Sequence, residues 1–266
     1  MVTISHALND LRVPGFEVLD CHAHLGPWLN FRMPEHTADA IVRVMDHIGI
    51  ARSYVSPMSW MVDEQHGFRQ LEDAVSRFPQ RIVGVPVANP NRPDEAIALL
   101  EEWNTRFGTA IVKVHPDAHE YSLRWDGYRR IFEAIAGRWV VLTHTWLGSP
   151  WSSPADLAHV AEMFPDTVFL AGHSGGPLNG VRESIAVAAR HPNICLDLTG
   201  SLVLDGVIEW MVDELGASRV LFGTDSAFLD PRPQLGRVVM ARISAEEKRQ
   251  ILGGNLKRIV NEKDPE

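Results

Sequence analysis

The sequence predicts an α/β protein whose eight parallel strands close into a (β/α)8 TIM barrel, and three observations support this prediction. Eight apolar runs rich in β-branched residues recur along the chain, and segments with helical periodicity separate them. Metal-ligand side chains also stand at the ends of several runs, at Asp20–His24, Lys113, His144, His173 and Asp225. The gaps between these groups are 89, 31, 29 and 52 residues, which correspond to three, one, one and two βα steps. Ligands at strand ends converge only if the strands are parallel and form a ring.

The strand prediction depends on the composition of the eight runs. Most of them are nearly continuous in apolar residues, as expected of strands that are buried on both faces of a parallel sheet. The predicted strands are Phe16–His22, Arg52–Ser56, Ile82–Ala88, Ala110–His115, Trp139–His144, Thr167–His173, Asn193–Leu198 and Val220–Thr224.

Helix signals occupy the segments between these strands. Thr37 can cap a helix that Gly49 ends. Pro93 opens another helix, because proline is tolerated in a first turn and the acids Asp94 and Glu95 suit the helix dipole. Further helices are predicted over Asp126–Ala136, Pro154–Phe164, Leu178–Arg190, Leu204–Leu215 and Ser244–Val260.

A doubly wound open sheet is the alternative fold for alternating strands and helices. Such a sheet usually carries a glycine-rich turn after its first strand. Here that turn is His24-Leu25-Gly26-Pro27, which lacks the pattern. A barrel typically needs ~250 residues. A chain of 266 residues is therefore expected to form a single domain over residues 1–266.

Composition argues against several classes of partner. The net charge of −9 disfavours nucleic acid, since phosphate binding needs a basic face. No apolar stretch approaches the ~20 residues that cross a bilayer, so no membrane partner is expected. The segment Met1–Val13 lacks the features of a signal peptide, and having only two cysteines, Cys21 and Cys195, favours a reducing compartment. We expect a cytoplasmic protein that acts on a small molecule, and the sequence leaves a homo-oligomer open.

His22 and His24 stand two residues apart, so on a strand their side chains point to the same face. Imidazole nitrogens suit Zn²⁺ and similar divalent metals. Alone the pair is weak evidence, because two histidines can equally make ordinary hydrogen bonds. His144, His173 and Asp225 strengthen it, since each closes an apolar strand where a polar group must be solvated, paired or bound to metal. The set predicts a metal site at the barrel mouth.

Six short motifs, in this order, resemble the amidohydrolase superfamily. They are Asp20-Cys21-His22-Ala23-His24, Ile111-Val112-Lys113-Val114-His115-Pro116, Thr143-His144-Thr145, Gly172-His173-Ser174-Gly175-Gly176, Leu221-Phe222-Gly223-Thr224-Asp225 and Ile251-Leu252-Gly253-Gly254-Asn255. The resemblance covers the whole chain and is closest to the amidohydrolase 2 branch. That branch includes metal-dependent hydrolases and aminocarboxymuconate-semialdehyde-decarboxylase-like enzymes. The motifs are specific for the family and not for a substrate.

This resemblance implies a role for each ligand. His22 and His24 on the first strand, His144 on the fifth and Asp225 on the eighth would hold one divalent metal, with Zn²⁺ as the expected ion. Asp225 would also accept a proton from metal-bound water, whose pKa zinc lowers to about 7. His173 on the sixth strand would either bind a second metal or act as an acid and electrophile toward the substrate.

Lys113 has two competing interpretations. In two-metal relatives a fourth-strand lysine is carboxylated by CO₂ and bridges the metals, which needs a neutral amine that burial can supply. The alternative is a charged lysine that pairs with Asp225 or with the substrate. His115 faces the same way and is a candidate for substrate contact, with a loop-capping role as its alternative. Asp20 is expected to support the histidines from one layer deeper.

Aromatic and basic side chains in the predicted βα loops are candidates for substrate binding, because barrel enzymes bind substrates at that face. Five tryptophans fall there, namely Trp28, Trp60, Trp125, Trp146 and Trp151. Three arginines also do, namely Arg32, Arg124 and Arg232. Trp28, Trp146 and Arg124 are the leading candidates, the arginine because it can clamp a carboxylate. The alternatives are packing over the barrel core for the tryptophans and ordinary surface positions for the arginines.

Three functions stay open on the sequence alone. The leading one is hydrolysis of an amide, ester or lactone bond by metal-activated water. The second is nonoxidative decarboxylation of a small aromatic or enolic carboxylic acid at a one-metal site. The third is a barrel that binds a ligand without turnover, which the complete ligand set disfavours. Two metals would favour hydrolysis, whereas one metal is compatible with both reactions.

Overall fold

The computed structural model describes Val13 and residues 15–28, 32–108, 110–200 and 204–261. The expectation for the N-terminal segment Met1–Val13 therefore falls almost wholly outside the described residues. No helix in the described ranges is both long enough and apolar enough to cross a membrane.

Eight parallel strands follow one another in chain order and confirm the predicted barrel class. They form two hydrogen-bonded sheets, one of the first three strands and one of the last five, and each pairing is parallel. The strands are β1 (Val18–Leu25), β2 (Ile50–Pro57), β3 (Ile82–Gly84), β4 (Ile111–Val114), β5 (Val140–His144), β6 (Phe169–Gly172), β7 (Ile194–Asp197) and β8 (Val220–Leu221).

Backbone hydrogen bonds at two seams join these sheets into a ring. At the first seam, Lys113 N donates to Pro86 O at 2.8 Å, which ties β4 to the chain after β3. At the second seam, Asp225 N donates to His22 O at 2.9 Å, which ties the chain after β8 to β1. Closure brings the carboxyl ends of the strands to one mouth. Both seams run through residues that the sequence nominated for the site.

Helices alternate with the strands, and their ends follow the predicted chemistry. Thr37 Oγ1 accepts a hydrogen bond from Ala40 N at 3.2 Å, and Gly49 ends the same helix with a φ of 83°, a conformation that glycine adopts at little cost. The described helices are α1 (Ala38–Ile48), α2 (Glu64–Arg77), α3 (Pro93–Phe107), α4 (Pro116–His119), α5 (Asp126–Ile135), α6 (Pro154–Met163), α7 (Leu178–Arg190), α8 (Val207–Leu215), α9 (Pro231–Met240), α10 (Ala245–Arg249) and α11 (Asn255–Asn261).

The structure differs from the predicted helices in two respects. Helices α2, α4 and α9 were not predicted, although Asp63 caps α2 by accepting a hydrogen bond from His66 N at 2.9 Å. The predicted helix over Ser244–Val260 is interrupted by a π turn at Gln250–Gly254. This turn packs closely against the residues just before β1. A Cβ on Gly253 would lie only 2.6 Å from the carbonyl oxygen of Glu17, so the contact requires glycine.

An apolar layer inside the ring supports the mouth from below. Ile111 on β4 and Leu142 on β5 are buried in this layer, and each contributes roughly 1.5–3 kcal/mol to folding. Strand side chains alternate between the two faces, so Lys113 and His144, two residues further on, point to the same side and nearer the mouth. The barrel thus places these two polar side chains above a closed hydrophobic floor.

Candidate metal centre

Three predicted ligands lie close together at the mouth of the barrel. His22 and His24 come from β1, and Asp225 follows β8. The Nε2 atom of His24 lies 3.1 Å from Oδ1 of Asp225, and Nε2 of His22 lies 3.9 Å from the same oxygen. Potential ligand atoms of all three side chains lie within 4.8 Å of one another, and no other described group of three such residues does so. We refer to these residues as the three-residue cluster.

Asp197 fixes the orientation of the first histidine. His22 Nδ1 donates a hydrogen bond to Asp197 Oδ2 at 2.6 Å, so its Nε2 atom carries the ring lone pair. The other Asp197 oxygen accepts from Thr199 N at 2.6 Å. The sequence analysis did not single out Asp197, although it closes the apolar strand β7 in the same way that Asp225 follows β8. The signal for it is therefore its position next to the end of the predicted strand Asn193–Leu198.

Lys113 is fully buried directly beside this histidine. Its Nζ atom donates to His22 Nε2 at 2.7 Å, whereas the sequence predicted a pairing with Asp225 or the substrate, or carboxylation. Burial lowers the pKa of the Lys113 amine to about 8. Near pH 7 most of this amine is still protonated, so a cation that binds His22 Nε2 would replace the hydrogen bond from Lys113.

The protonation states of the side chains in the three-residue cluster also suit a divalent cation. Burial alone would raise the pKa of Asp225, but the neighbouring His24 and His173 hold it well below its usual range, so the carboxylate is ionised. Burial, reinforced by the charge of Lys113, lowers the pKa of His22 well below its usual value. An ionised carboxylate and a neutral imidazole are the forms that bind metals. The donor set therefore suits one divalent ion.

Asp20 supports the site through the backbone and not through the imidazole rings. Its Oδ1 atom accepts from His22 N at 3.1 Å and from Thr224 N at 3.0 Å, and its Oδ2 atom accepts from Thr224 Oγ1 at 2.6 Å. These bonds tie β1 to the turn after β8. They hold the histidine-bearing strand and the Asp225 turn in a fixed relation to each other.

His144, predicted as the fourth ligand, lies outside the three-residue cluster. Its ring is stacked on His115 with centroids 4.4 Å apart, and its Nε2 atom faces Asp117 Oδ2 at 3.6 Å. His173 lies between the two groups, with ring centroids 4.7 Å from His144 and 5.0 Å from His22. The His173 ring therefore separates His144 from the cluster, whereas the sequence predicted that His144 binds the same metal as His22 and His24.

Asp117 is a site residue that sequence reasoning missed. It belongs to the short helix α4, after the end of β4, so the pattern of strand ends gives no signal for it. Ser149 Oγ donates to Asp117 Oδ1 at 2.6 Å, and Ser152 Oγ donates to its other oxygen at 2.5 Å. These hydroxyls hold the carboxylate against the cavity wall.

A cavity of about 380 Å³ opens above the three-residue cluster, which is within the usual range for small-molecule sites. Trp28, Trp146 and Phe228 form aromatic walls, so both leading tryptophan candidates line it. No lysine or arginine occurs among its described lining residues. Its polar lining consists of His24, His115, Asp117, His144, His173 and Asp225.

Several candidates from the loops do not line this cavity. Arg124 was predicted to bind substrate, but its Nε atom forms an ion pair with Asp156 at 2.6 Å instead. Trp60 is fully buried and packs edge-on against Trp103 with ring centroids 5.8 Å apart. Two further tryptophans contact each other away from the cavity, namely Trp125 and Trp151. Two arginines line a neighbouring cavity of about 610 Å³, which shares Phe228 and Leu229 with the first cavity but holds none of the cluster residues, namely Arg32 and Arg232.

Comparison with known proteins gives a family match over nearly the whole chain. The family model described as "Amidohydrolase" matches residues 19–261. No curated protein sequence matches the chain.

Solved structures share the fold at low sequence identity. An uncharacterized TIM-barrel protein from Bordetella bronchiseptica has a TM-score of 0.75 and 17% identity, over 93% of this chain and 99% of that chain. A 5-carboxyvanillate decarboxylase from Novosphingobium aromaticivorans, complexed with manganese and a nitrobenzoic acid, has a TM-score of 0.73 and 12% identity, over 95% and 99%. A 2,6-dihydroxybenzoate decarboxylase from Rhizobium has a TM-score of 0.71 and 15% identity, over 92% and 99%. These likenesses show the barrel fold.

Proposed function

Because the chain belongs to the amidohydrolase family, we propose that it is a divalent-metal-dependent enzyme that decarboxylates a small aromatic or enolic carboxylic acid without oxidation. The observation that carries the proposal is the combination of aromatic cavity walls with the three-residue cluster at the cavity floor. Similarity in fold to two decarboxylases of aromatic acids supports it. The proposal favours the second of the reactions that the sequence left open.

Hydrolysis, the leading reaction on the sequence, has less support from the site. Its two-metal form needs a second ion with ligands of its own, bridged to the first ion by a carboxylated Lys113. The described residues offer one group of three clustered ligands, which suits one ion. One ion is compatible with hydrolysis as well, so the assay below includes hydrolysable substrates.

The lining of the cavity suits a flat, acidic substrate. The Trp146 ring lies parallel to the His144 ring within 8°, with centroids 6.1 Å apart, and both residues line the cavity, so a planar substrate ring can pack beside this pair. Since the described lining has no lysine or arginine, the metal would be the cationic partner of the substrate carboxylate. The apolar walls would exclude water from the carbon that loses CO₂.

The reaction needs one proton to replace the departing carboxyl group. When bound, the metal would polarise the substrate and stabilise the negative charge that develops on it. Asp225 lines the cavity as a carboxylate, and despite its low pKa it would accept the proton of a substrate hydroxyl that the bound metal acidifies. As the C–C bond breaks, the electron pair stays on the ring carbon, CO₂ leaves, and Asp225 returns the proton to that carbon. His173, whose ring lies 5.0 Å from His22, would orient the substrate by hydrogen bonding.

A metal-dependence assay tests this function. Protein reconstituted with Mn²⁺ or Zn²⁺ is offered hydroxylated benzoic acids on one plate and amides, esters and lactones on another. We expect CO₂ release from at least one acid, loss of that activity after chelation and its return on adding metal. A His22→Ala, His24→Ala double variant should stay inactive after metal addition. Hydrolysis on the second plate without CO₂ release on the first would instead establish a hydrolase.

A further inference from the structure

A second, smaller cavity adjoins the one above the three-residue cluster. It encloses about 170 Å³, and both cavities are lined by Trp146, His173 and Gly200. Leu178 and Met211 contribute to its largely apolar wall. We call this space the side pocket. The two cavities meet at these shared wall residues next to the proposed metal, so a substrate that occupied both would pass beside Trp146 and His173.

Exposed apolar side chains gather around the side pocket. Trp146 is 42% exposed, Leu178 is 42% exposed and Leu204 is 43% exposed, and all three line it. Single exposed apolar residues are common on protein surfaces, but several around one cavity indicate a surface that binds an apolar group. The side pocket is therefore suited to a hydrocarbon part of a ligand.

One positively charged side chain lies in this apolar lining. Arg237, on helix α9, donates from Nη1 to Leu198 O at 3.2 Å and to Gln234 Oε1 at 2.9 Å. Its Nε atom is buried and has no hydrogen-bond partner. Arg232 on the same helix is ion-paired with Asp230, whereas Arg237 forms no ion pair with a carboxylate in the described part of the chain. A buried N–H without an acceptor is costly, so a side-chain shift that brought Nε to an acceptor in the side pocket would be favourable.

Asp197 also lines the side pocket but is already engaged. Its two carboxylate oxygens accept from His22 Nδ1 and from Thr199 N, both at 2.6 Å. Burial lowers the pKa of Arg237, and the charge of Asp197 offsets part of that effect. The guanidinium therefore keeps its positive charge and has donor capacity that the protein does not use.

We propose that the side pocket is a carboxylate subsite, in which a short apolar arm of the substrate presents a carboxylate to Arg237. The planar guanidinium fork matches a carboxylate, and the apolar wall suits the arm. This inference rests on the proposed function and narrows its substrate class to dicarboxylic acids. One carboxyl group is lost at the metal, and the other is retained against Arg237.

Binding without turnover tests the subsite. Calorimetry on Mn²⁺-loaded protein compares straight-chain dicarboxylates from succinate to suberate with the monocarboxylates of equal carbon number. We expect at least one dicarboxylate to bind about tenfold or more tightly than the monocarboxylate of equal carbon number. A charge-assisted hydrogen bond to Arg237 is enough for a tenfold change in Kd. The preference should disappear in Arg237→Met, weaken in Arg237→Lys and persist in the matched control Arg232→Met.

Two results would overturn the subsite: no dicarboxylate preference in the wild-type protein, or a preference that survives intact in Arg237→Met. Thermal melting checks that each variant is folded. If Arg237→Met does not fold, the Arg237→Lys variant and the wild-type comparison decide. An Arg237-dependent preference in protein that releases no CO₂ would support the subsite and count against the proposed reaction alone.

Discussion

Replacing Asp225 with Asn is expected to lower kcat for CO₂ release by about 10²- to 10⁴-fold, the usual contribution of a positioned acid–base group. Asparagine keeps the shape of the side chain, so the hydrogen bond from the backbone N of Asp225 to His22 O is retained. It cannot, however, take up a proton and return it to carbon, and it removes the one negative charge of the three-residue cluster. The rate of CO₂ release at saturating substrate measures the effect.

A neighbouring aspartate provides the control for this variant. Asp230 lies five residues further along the same loop and pairs with Arg232 away from the cavity. Asp230→Asn is expected to keep the wild-type rate. Wild-type turnover by Asp225→Asn, in protein with an unchanged melting temperature, would contradict the mechanism.

Replacing Asp197 with Asn is expected to weaken metal binding about 10- to 100-fold, as loss of a carboxylate behind a metal-bound histidine usually does. The carboxylate of Asp197 accepts a hydrogen bond from His22 Nδ1 and so leaves Nε2 free for the metal. An asparagine amide can donate to Nδ1 instead, which moves the ring proton to Nε2 and blocks the ligand atom. Competition with a fluorescent chelator gives the Kd for Mn²⁺ without any assay of turnover.

Asp205 supplies the comparison for the metal-affinity experiment. It is an exposed acid that follows the same strand and pairs with Arg242, and it lines neither the cavity above the cluster nor the side pocket. Asp205→Asn should bind Mn²⁺ like the wild-type protein. A Kd for Asp197→Asn equal to that of the wild type would show that the Asp197 hydrogen bond does not orient His22 toward the metal.

Strand-end logic predicted the architecture and the centre of the site, because both follow from periodicity. Runs in which apolar residues alternate with polar ones, or follow one another without a break, predict strands. In a closed ring of parallel strands, the carboxyl ends of all the strands meet at one mouth. This reasoning brought His22, His24 and Asp225 to one place, as the structure has them. It applies to Asp197 as well, since β7 ends at this residue, but the predicted strand Asn193–Leu198 placed Asp197 inside the strand and not at its end.

Features that depend on loops and on side-chain packing could not be predicted in this way. Asp117 reaches the cavity on a short helix and is held by Ser149, 32 residues away, a contact with no local signature. The outward position of Arg124 follows from its ion pair with Asp156, which is also non-local. The position of His144 on its strand was predictable, but the stacking that turns its ring toward His115 was not.

Metal content per chain, measured by elemental analysis after reconstitution with Mn²⁺ and bicarbonate, tests the central claim most directly. The three-residue cluster predicts one equivalent in the wild-type protein and almost none in the His22→Ala, His24→Ala double variant. Two equivalents in the wild type would contradict the one-metal site and point to a carboxylated Lys113 bridging two ions. One equivalent retained by the double variant would place the metal elsewhere in the chain.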